Sequence, residues 1–169
     1  MVTVEKGSSR RVLSSPGLSL EAHGKITILN PAPATELPKE VFEVCDYITP
    51  NETEAEAITG LPVRNEAEAE SDAQSLAGLG VKTPIITMGE QGAFLFGYGM
   101  VGVYEAGPVV ETTGAGDAFN GAFAVALSEG KSAVDAVRFG CATAAISVTR
   151  PGAASSMPTR DEVEQLLRD

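Results

Sequence analysis

Apolar positions along this chain follow two rhythms, short unbroken runs and stripes that recur every three to four residues. Ile26-Thr27-Ile28-Leu29 reads as a buried strand stopped by Asn30-Pro31-Ala32-Pro33, and Tyr47-Ile48-Thr49 as a second strand stopped by Pro50. Ile85-Ile86-Thr87 is a third. Ala93 to Phe96 and Val101 to Tyr104, separated by Gly97 and Gly99, predict a hairpin. Between them lie helical stripes. One helix is predicted from Glu52 to Thr59, closing at Gly60. Another runs from Glu66 to Leu79, turning Ala69, Ala73, Leu76 and Ala77 inward before Gly80. Three more finish the chain: Gly116 to Ser128, Ser132 to Thr149 and Thr159 to Arg168. The first buries Phe119, Ala122, Phe123, Ala126 and Leu127; the second aligns Val134, Val137, Cys141, Ala144, Ala145 and Val148. The third opens on a capping box, Thr159-Arg160-Asp161-Glu162. Strands alternating with helices predict an α/β fold with a mainly parallel sheet. Residues 1–23, where Ser8-Ser9-Arg10-Arg11 and Ser14-Ser15-Pro16-Gly17 break every period, are expected to be an irregular segment ahead of a domain spanning 24–169.

Composition narrows the function classes. The 169 residues are 43% hydrophobic, which is globular composition and enough chain for one core. A net charge of −11 and 5% aromatic content without Trp argue against nucleic acid or an anionic membrane as partner. Cys45 and Cys141 are the two cysteines and form no C-x-x-C pair, so buried free thiols in a reducing compartment are expected. No apolar run reaches about 18 residues and no signal-peptide pattern occurs, so the expectation is a soluble cytoplasmic protein. A single histidine, His23, argues against a His-rich metal site or a Ser-His-Asp triad.

Candidate chemistry gathers at glycine-rich turns. Thr112-Thr113-Gly114-Ala115-Gly116-Asp117 enters a helix, and such an entry offers backbone N–H groups and a positive dipole end to an anion such as phosphate. Asp117 at that mouth is placed to take a proton from a hydroxyl attacking the phosphate. The same residues also fit a plain turn whose glycines supply positive φ and whose Asp is an N-cap. Asn51-Glu52-Thr53-Glu54 fits both a capping box and a carboxylate–amide pair holding hydrated Mg²⁺ beside phosphates. Thr87-Met88-Gly89-Glu90-Gln91-Gly92 fits either a tight turn into the next strand or a loop that lets a phosphate approach the backbone. Arg150-Pro151-Gly152-Ala153-Ala154-Ser155-Ser156 fits a connection, or a set of carbonyls and the Ser156 hydroxyl around a monovalent cation. The P-loop pattern G-x-x-x-x-G-K-[ST] does not occur.

Taken in order, these segments resemble the carboxyl-terminal half of the ribokinase/PfkB family of sugar kinases. The matching stretches are Ile28-Leu29-Asn30-Pro31-Ala32-Pro33-Ala34, Ile48 to Glu56, Thr87 to Gly92, Gly114 to Gly121 and Val148 to Ala153, and together they cover about residues 24–169. The resemblance implies a three-layer α/β/α nucleotide-binding half, without the family's amino-terminal half and β-sheet lid, and phosphoryl transfer from MgATP to the primary hydroxyl of D-ribose. It implies Asp117 as general base, with the amides of Gly114, Ala115 and Gly116 as an anion hole. Asn51 and Glu54 match the N-x-x-E motif associated with Mg²⁺, and Thr87, Gly89 and Gly92 match the nucleotide-phosphate loop. Asn120 and Cys141 fall where the family borders the nucleotide pocket. Glu111, Thr113, Ser147, Arg150, Gly152 and Ser156 match the segments of a K⁺ site, with Glu111 standing where these kinases usually carry an aspartate. A fructokinase-like kinase, or a nucleotide-binding remnant with impaired catalysis, would share the same motifs. An isolated half is expected to expose part of an incomplete sheet and so to favour a homodimer.

Overall fold

A computed structural model describes residues 2–4, 11–12, 25–34 and 36–168, and places them in two units. The amino-terminal unit comprises Met1–Met88 with Phe94–Met100; the carboxyl-terminal unit comprises Gly89–Ala93 with Val101–Asp169.

The amino-terminal unit carries a sheet of order β2-β1-β3-β4-β5-β6-β7. Its strands are β1 (Val2–Val4), β2 (Arg11–Val12), β3 (Ile26–Leu29), β4 (Tyr47–Ile48), β5 (Thr83–Thr87), β6 (Ala93–Leu95) and β7 (Gly99–Val101). The centre is parallel: Ile28 and Leu29 pair with Tyr47 and Ile48, which pair in turn with Thr83 and Pro84. Three helices belong to this unit, α1 (Lys39–Glu43), α2 (Glu52–Thr59) and α3 (Glu66–Gly78). Ala55, Ala69, Ala73, Ile86 and Met88 form one buried cluster, and Leu29, Phe42, Cys45, Ile48 and Leu76 another. Apolar residues from strands and helices thus share cores, as an α/β unit requires.

Several elements differ from the pattern-based expectation. The segment expected to be irregular contributes β1 and β2, with β1 antiparallel to both β2 and β3; the other residues of 1–23 lie outside the described set. β5 begins two residues early because Pro84 is taken into the strand, where its carbonyl accepts from Phe96 N–H at 3.0 Å. The second hairpin strand ends at Val101, since Gly102 turns away at φ +70°.

The carboxyl-terminal unit is helical: α4 (Ala115–Ser128), α5 (Ala133–Ser147) and α6 (Arg160–Leu166). All five residues of the stripe predicted for α4 are buried. The face predicted for α5 is too narrow. Ala136, Phe139, Gly140, Ala142, Thr143, Ile146 and Ser147 are buried along with Val137 and Cys141, whereas Val134, Ala144, Ala145 and Val148 are half-buried. Such broad burial erases the single stripe that periodicity detects.

Candidate functional site

The carboxyl ends of β4 and β5 hold the first group of candidate residues. Asn51 and Thr87 form a parallel bridge there, and Thr87 donates to the Pro50 carbonyl through its N–H at 2.9 Å and its hydroxyl at 3.3 Å. Asn51 caps α2, its Oδ1 accepting from Glu54 N–H at 2.9 Å while Glu54 Oε2 accepts from Asn51 N–H at 2.9 Å. Asn51, Glu54 and Thr87 therefore sit together at the end of a parallel sheet, the position where open α/β sheets bind ligands. The capping box is real, and it orients the carboxylate rather than competing with a role for it. One carboxylate beside an amide suits a hydrated divalent ion shared with phosphate oxygens. Among the described residues, no group of three or more His, Cys, Asp or Glu is placed to hold a metal ion by itself.

Gly89 and Gly92 belong to the carboxyl-terminal unit and close a 3₁₀ turn, with Gly92 N–H donating to Gly89 O at 3.2 Å. Both have positive φ, +51° and +94°. A Cβ on Gly92 would lie 2.7 Å from Val101 O and 3.0 Å from the carbonyl carbon of Gly102. The close approach that requires this glycine is thus to the chain's own backbone.

The start of α4 is built differently from those of α2, α3, α5 and α6, and shares the lack of a side-chain cap with α1. α2, α3, α5 and α6 carry side-chain caps from Asn51, Asn65, Ser132 and Thr159. At α4 the N-cap is Gly114 in the left-handed conformation, φ +81°, and no side chain caps the helix. This corrects the alternative in which Asp117 is the N-cap. Asp117 lies in the first turn and is exposed, beside first-turn amides that point outward along the helix dipole. Ala115 N–H donates to Thr112 O at 3.1 Å, so that amide is already engaged. Asn120 points back to the same turn, its Nδ2 donating to Gly116 O at 2.9 Å.

Behind this turn, residues 110–113 are tied to residues 148–153. Val110 and Glu111 N–H both donate to Val148 O, at 2.8 and 3.1 Å. Glu111 Oε2 accepts from Gly152 N–H at 2.8 Å, and a Thr113 hydrogen bond reaches the same carboxylate. These two bonds, the Gly152 amide first, hold the Glu111 carboxyl below its ordinary value. The Ser156 hydroxyl is buried and donates to Ala153 O at 2.7 Å; Ser147 donates to Ala144 O at 2.8 Å. The Arg150 guanidinium pairs with Glu162. The structure thus brings Glu111, Thr113 and Gly152 together, with oxygen donors of the kind an alkali cation accepts. Cys141 is an interior thiol, 9% exposed, donating to Val101 O at 3.7 Å, and burial pushes it up to about 12. Gly102 presses on it, since a Cβ there would lie 2.9 Å from Cys141 Cβ.

Comparison with known proteins shows what this arrangement is similar to. Over 147 residues the chain is 46% identical to ribokinase of Haemophilus influenzae, covering 86% of this chain and 48% of that protein. Ribokinase from Thermotoga maritima superposes with a TM-score of 0.77 at 46% identity, covering 85% of this chain and 49% of that one. Ribokinase from Arabidopsis thaliana, complexed with ribose and ATP, gives a TM-score of 0.79 at 37% identity, covering 86% of this chain and 48% of that one. The chain spans about half the length of the relatives it matches. No helix among the described residues is long and apolar enough to cross a membrane. Residues 6–160 match the family model of the pfkB carbohydrate kinases, and with the parallel sheet end and the glycine-led start of α4 in place, the chain belongs to that family.

Proposed function

We propose that this chain is the nucleotide-binding half, residues 24–169, of an ATP-dependent sugar kinase that transfers the γ-phosphoryl group to the primary hydroxyl of D-ribose, giving ribose 5-phosphate and ADP. The observation that carries the reading is the start of α4, which has a left-handed Gly114, no side-chain cap, and Asp117 exposed in its first turn. In this reading Asp117 accepts the hydroxyl proton as the sugar oxygen attacks the γ-phosphorus. The bond between that phosphorus and the β–γ bridging oxygen breaks, and ADP leaves. The Gly114 and Gly116 amides meet the charge spread over the transferring group, where fixed dipoles are worth most, and Ala115 joins them once its N–H leaves Thr112 O. Asn51, Glu54 and Thr87, with Gly89 and Gly92, serve the nucleotide phosphates, and Asn120 and Cys141 border the nucleotide. Glu54 would hold Mg²⁺ through water, and Glu111, Thr113, Ser147, Arg150, Gly152 and Ser156 would surround K⁺. The divalent ion supplies charge neutralisation to the phosphates, and the monovalent ion order to the loops.

The relative solved with ribose and ATP supports these substrates over a fructokinase-like choice. A second reading is a nucleotide-binding remnant without efficient turnover, because orientation of the sugar supplies much of the rate. Calorimetry with MgATP, followed by an ADP-release assay with ribose and fructose, separates the two. Binding with ribose-dependent turnover, lost by at least ~10²-fold in Asp117→Asn, supports the kinase. Binding without turnover supports the remnant, and no MgATP binding rejects both.

A further inference from the structure

We propose that Glu111 is the positioning residue of the Gly114–Asp117 turn, acting as a clamp of fixed length. Its carboxylate joins two stretches 41 residues apart through the 2.8 Å bond from Gly152 N–H. The turn rests directly on the clamped loop. A Cβ added to Gly114 would lie 3.1 Å from Ala153 Cβ and 3.2 Å from Ala153 Cα, so Gly114 and the residue after Gly152 are in contact. Gly152 itself is left-handed, φ +85°, and its N–H donates to Glu111.

The loop is anchored at its far side as well. Arg150 pairs with Glu162, which also closes the capping box of α6 by accepting from Thr159 N–H at 2.7 Å. Arg160, in the same helix, holds Glu129 at the end of α4 through two bonds of 2.5 and 2.7 Å. α6 is therefore linked to both ends of α4: directly at Glu129, and through residues 150–153 and Glu111 at Gly114. The Glu111 side chain adds to the backbone bonds from Val110 and Glu111 N–H to Val148 O, and it alone reaches Gly152 N–H. Removing it leaves the Gly152 amide without its acceptor and loosens the loop on which the Gly114 turn rests. Glu111 touches no reacting atom. That the turn it positions handles phosphate rests on the sugar-kinase reading, whereas the clamp does not.

Amide exchange measured by NMR on the full chain, without nucleotide and in buffer free of alkali cations, tests the clamp. In Glu111→Ala, the Gly152 and Ala115 amides should exchange about tenfold faster or more, while α3 amides stay unchanged. Glu111→Gln keeps an acceptor at the same reach and should stay within about threefold of the native chain. Glu111→Asp keeps the charge but shortens the reach, and should behave as Glu111→Ala does. Native protection in Glu111→Ala overturns the proposal, and so does the reverse order, with Asp protected and Gln not. If Glu111→Ala fails to fold, the Gln and Asp variants decide alone. A parallel MgATP titration should weaken about tenfold in Glu111→Ala and Glu111→Asp. Absence of MgATP binding to the native chain would remove the kinase reading and leave the exchange result standing.

Discussion

Two aspartates in the amino-terminal unit respond to pH in opposite directions, and the hydrogen bonds around them say why. Asp72 in α3 is 0% exposed, with Oδ1 against the Thr59 hydroxyl and Oδ2 without a partner among the described residues. Thr59 Oγ1 also accepts from Leu61 N–H at 3.1 Å and donates to Ala55 O at 3.0 Å, so its one proton is best used there. A protonated Asp72 donating to Thr59 frees the Thr59 proton for Ala55 O, and burial raises the Asp72 pKa. The folded state then keeps a proton that the unfolded chain releases near the ordinary 3.8, so stability falls as pH rises above that value, until the folded group itself ionises. Asp72→Asn reproduces the neutral acid. Urea melts at pH 4 and pH 7 should show it flattening this slope and adding about 1 kcal/mol at pH 7. Asp46 behaves conversely. Burial opposes its charge, but bonds from Lys82 Nζ at 2.6 Å, Thr27 N–H at 2.8 Å and the Thr27 hydroxyl at 3.1 Å outweigh burial and lower its pKa. Its contribution is present above 3.8 and is lost as pH falls through the lowered value. The Lys82 bond is the largest of these bonds, but Lys82 is exposed and solvent screens its share of the stability. The Thr27 bonds tie the start of β3 to the residue ahead of β4. Asp46→Ala should therefore cost about 2 kcal/mol at neutral pH, with a shallower loss of stability on acidification.

Helices α4 and α5 show how two glycines in regular helix carry opposite constraints. A Cβ on Gly140 would meet Phe119 Cδ2 at 2.8 Å and Cε2 at 2.9 Å, with the Phe119 carbonyl oxygen at 3.1 Å. The backbone oxygen cannot move aside without shifting α4, so Gly140→Ala should lose about 1–3 kcal/mol to overpacking, less about 1 kcal/mol of helix propensity. Gly121 in α4 has nothing within 4 Å of such an atom and is exposed. Gly121→Ala should gain about 0.5–1 kcal/mol. Denaturant melts of the two variants check the opposite signs together. The pair also marks what the sequence discloses. The stripe of α4 and the capping boxes of α2 and α6 are local patterns, and the structure contains them. Asn51 and Glu54 were legible as candidates because capping and ligand binding ask for the same residues. The close approach at Gly140, the buried Asp72 and the Glu111–Gly152 bond depend on partners many residues away, and no local period encodes them. β1 and β2 were missed for a related reason: strands of three and two residues are too short for alternation to register.

At the scale of the whole chain, the sheet's edge and the net charge act against each other. The parallel centre β3-β4-β5 would end in an open edge at β3, and residues 2–4 pair there antiparallel, Val2 with Ile28, Thr3 with Thr27 and Val4 with Ile26. An open edge presents a row of backbone donors and acceptors that a second copy can match. Deleting residues 1–12 should therefore produce a concentration-dependent dimer paired through β3. The deleted stretch holds Lys6, Arg10 and Arg11 against Glu5, so the variant is two charges more negative than the native −11. Repulsion between copies then opposes pairing at low ionic strength, and salt relieves it, since screening shortens to about 8 Å near 0.15 M. The expected signature in sedimentation velocity is a dimer fraction that rises with salt in the deleted chain and exceeds that of the native one. An association weakened by salt would point instead to ion pairs, such as those on the exposed faces of α4 and α6. A monomer at every salt concentration would mean that β1 is not what keeps the β3 edge from a partner.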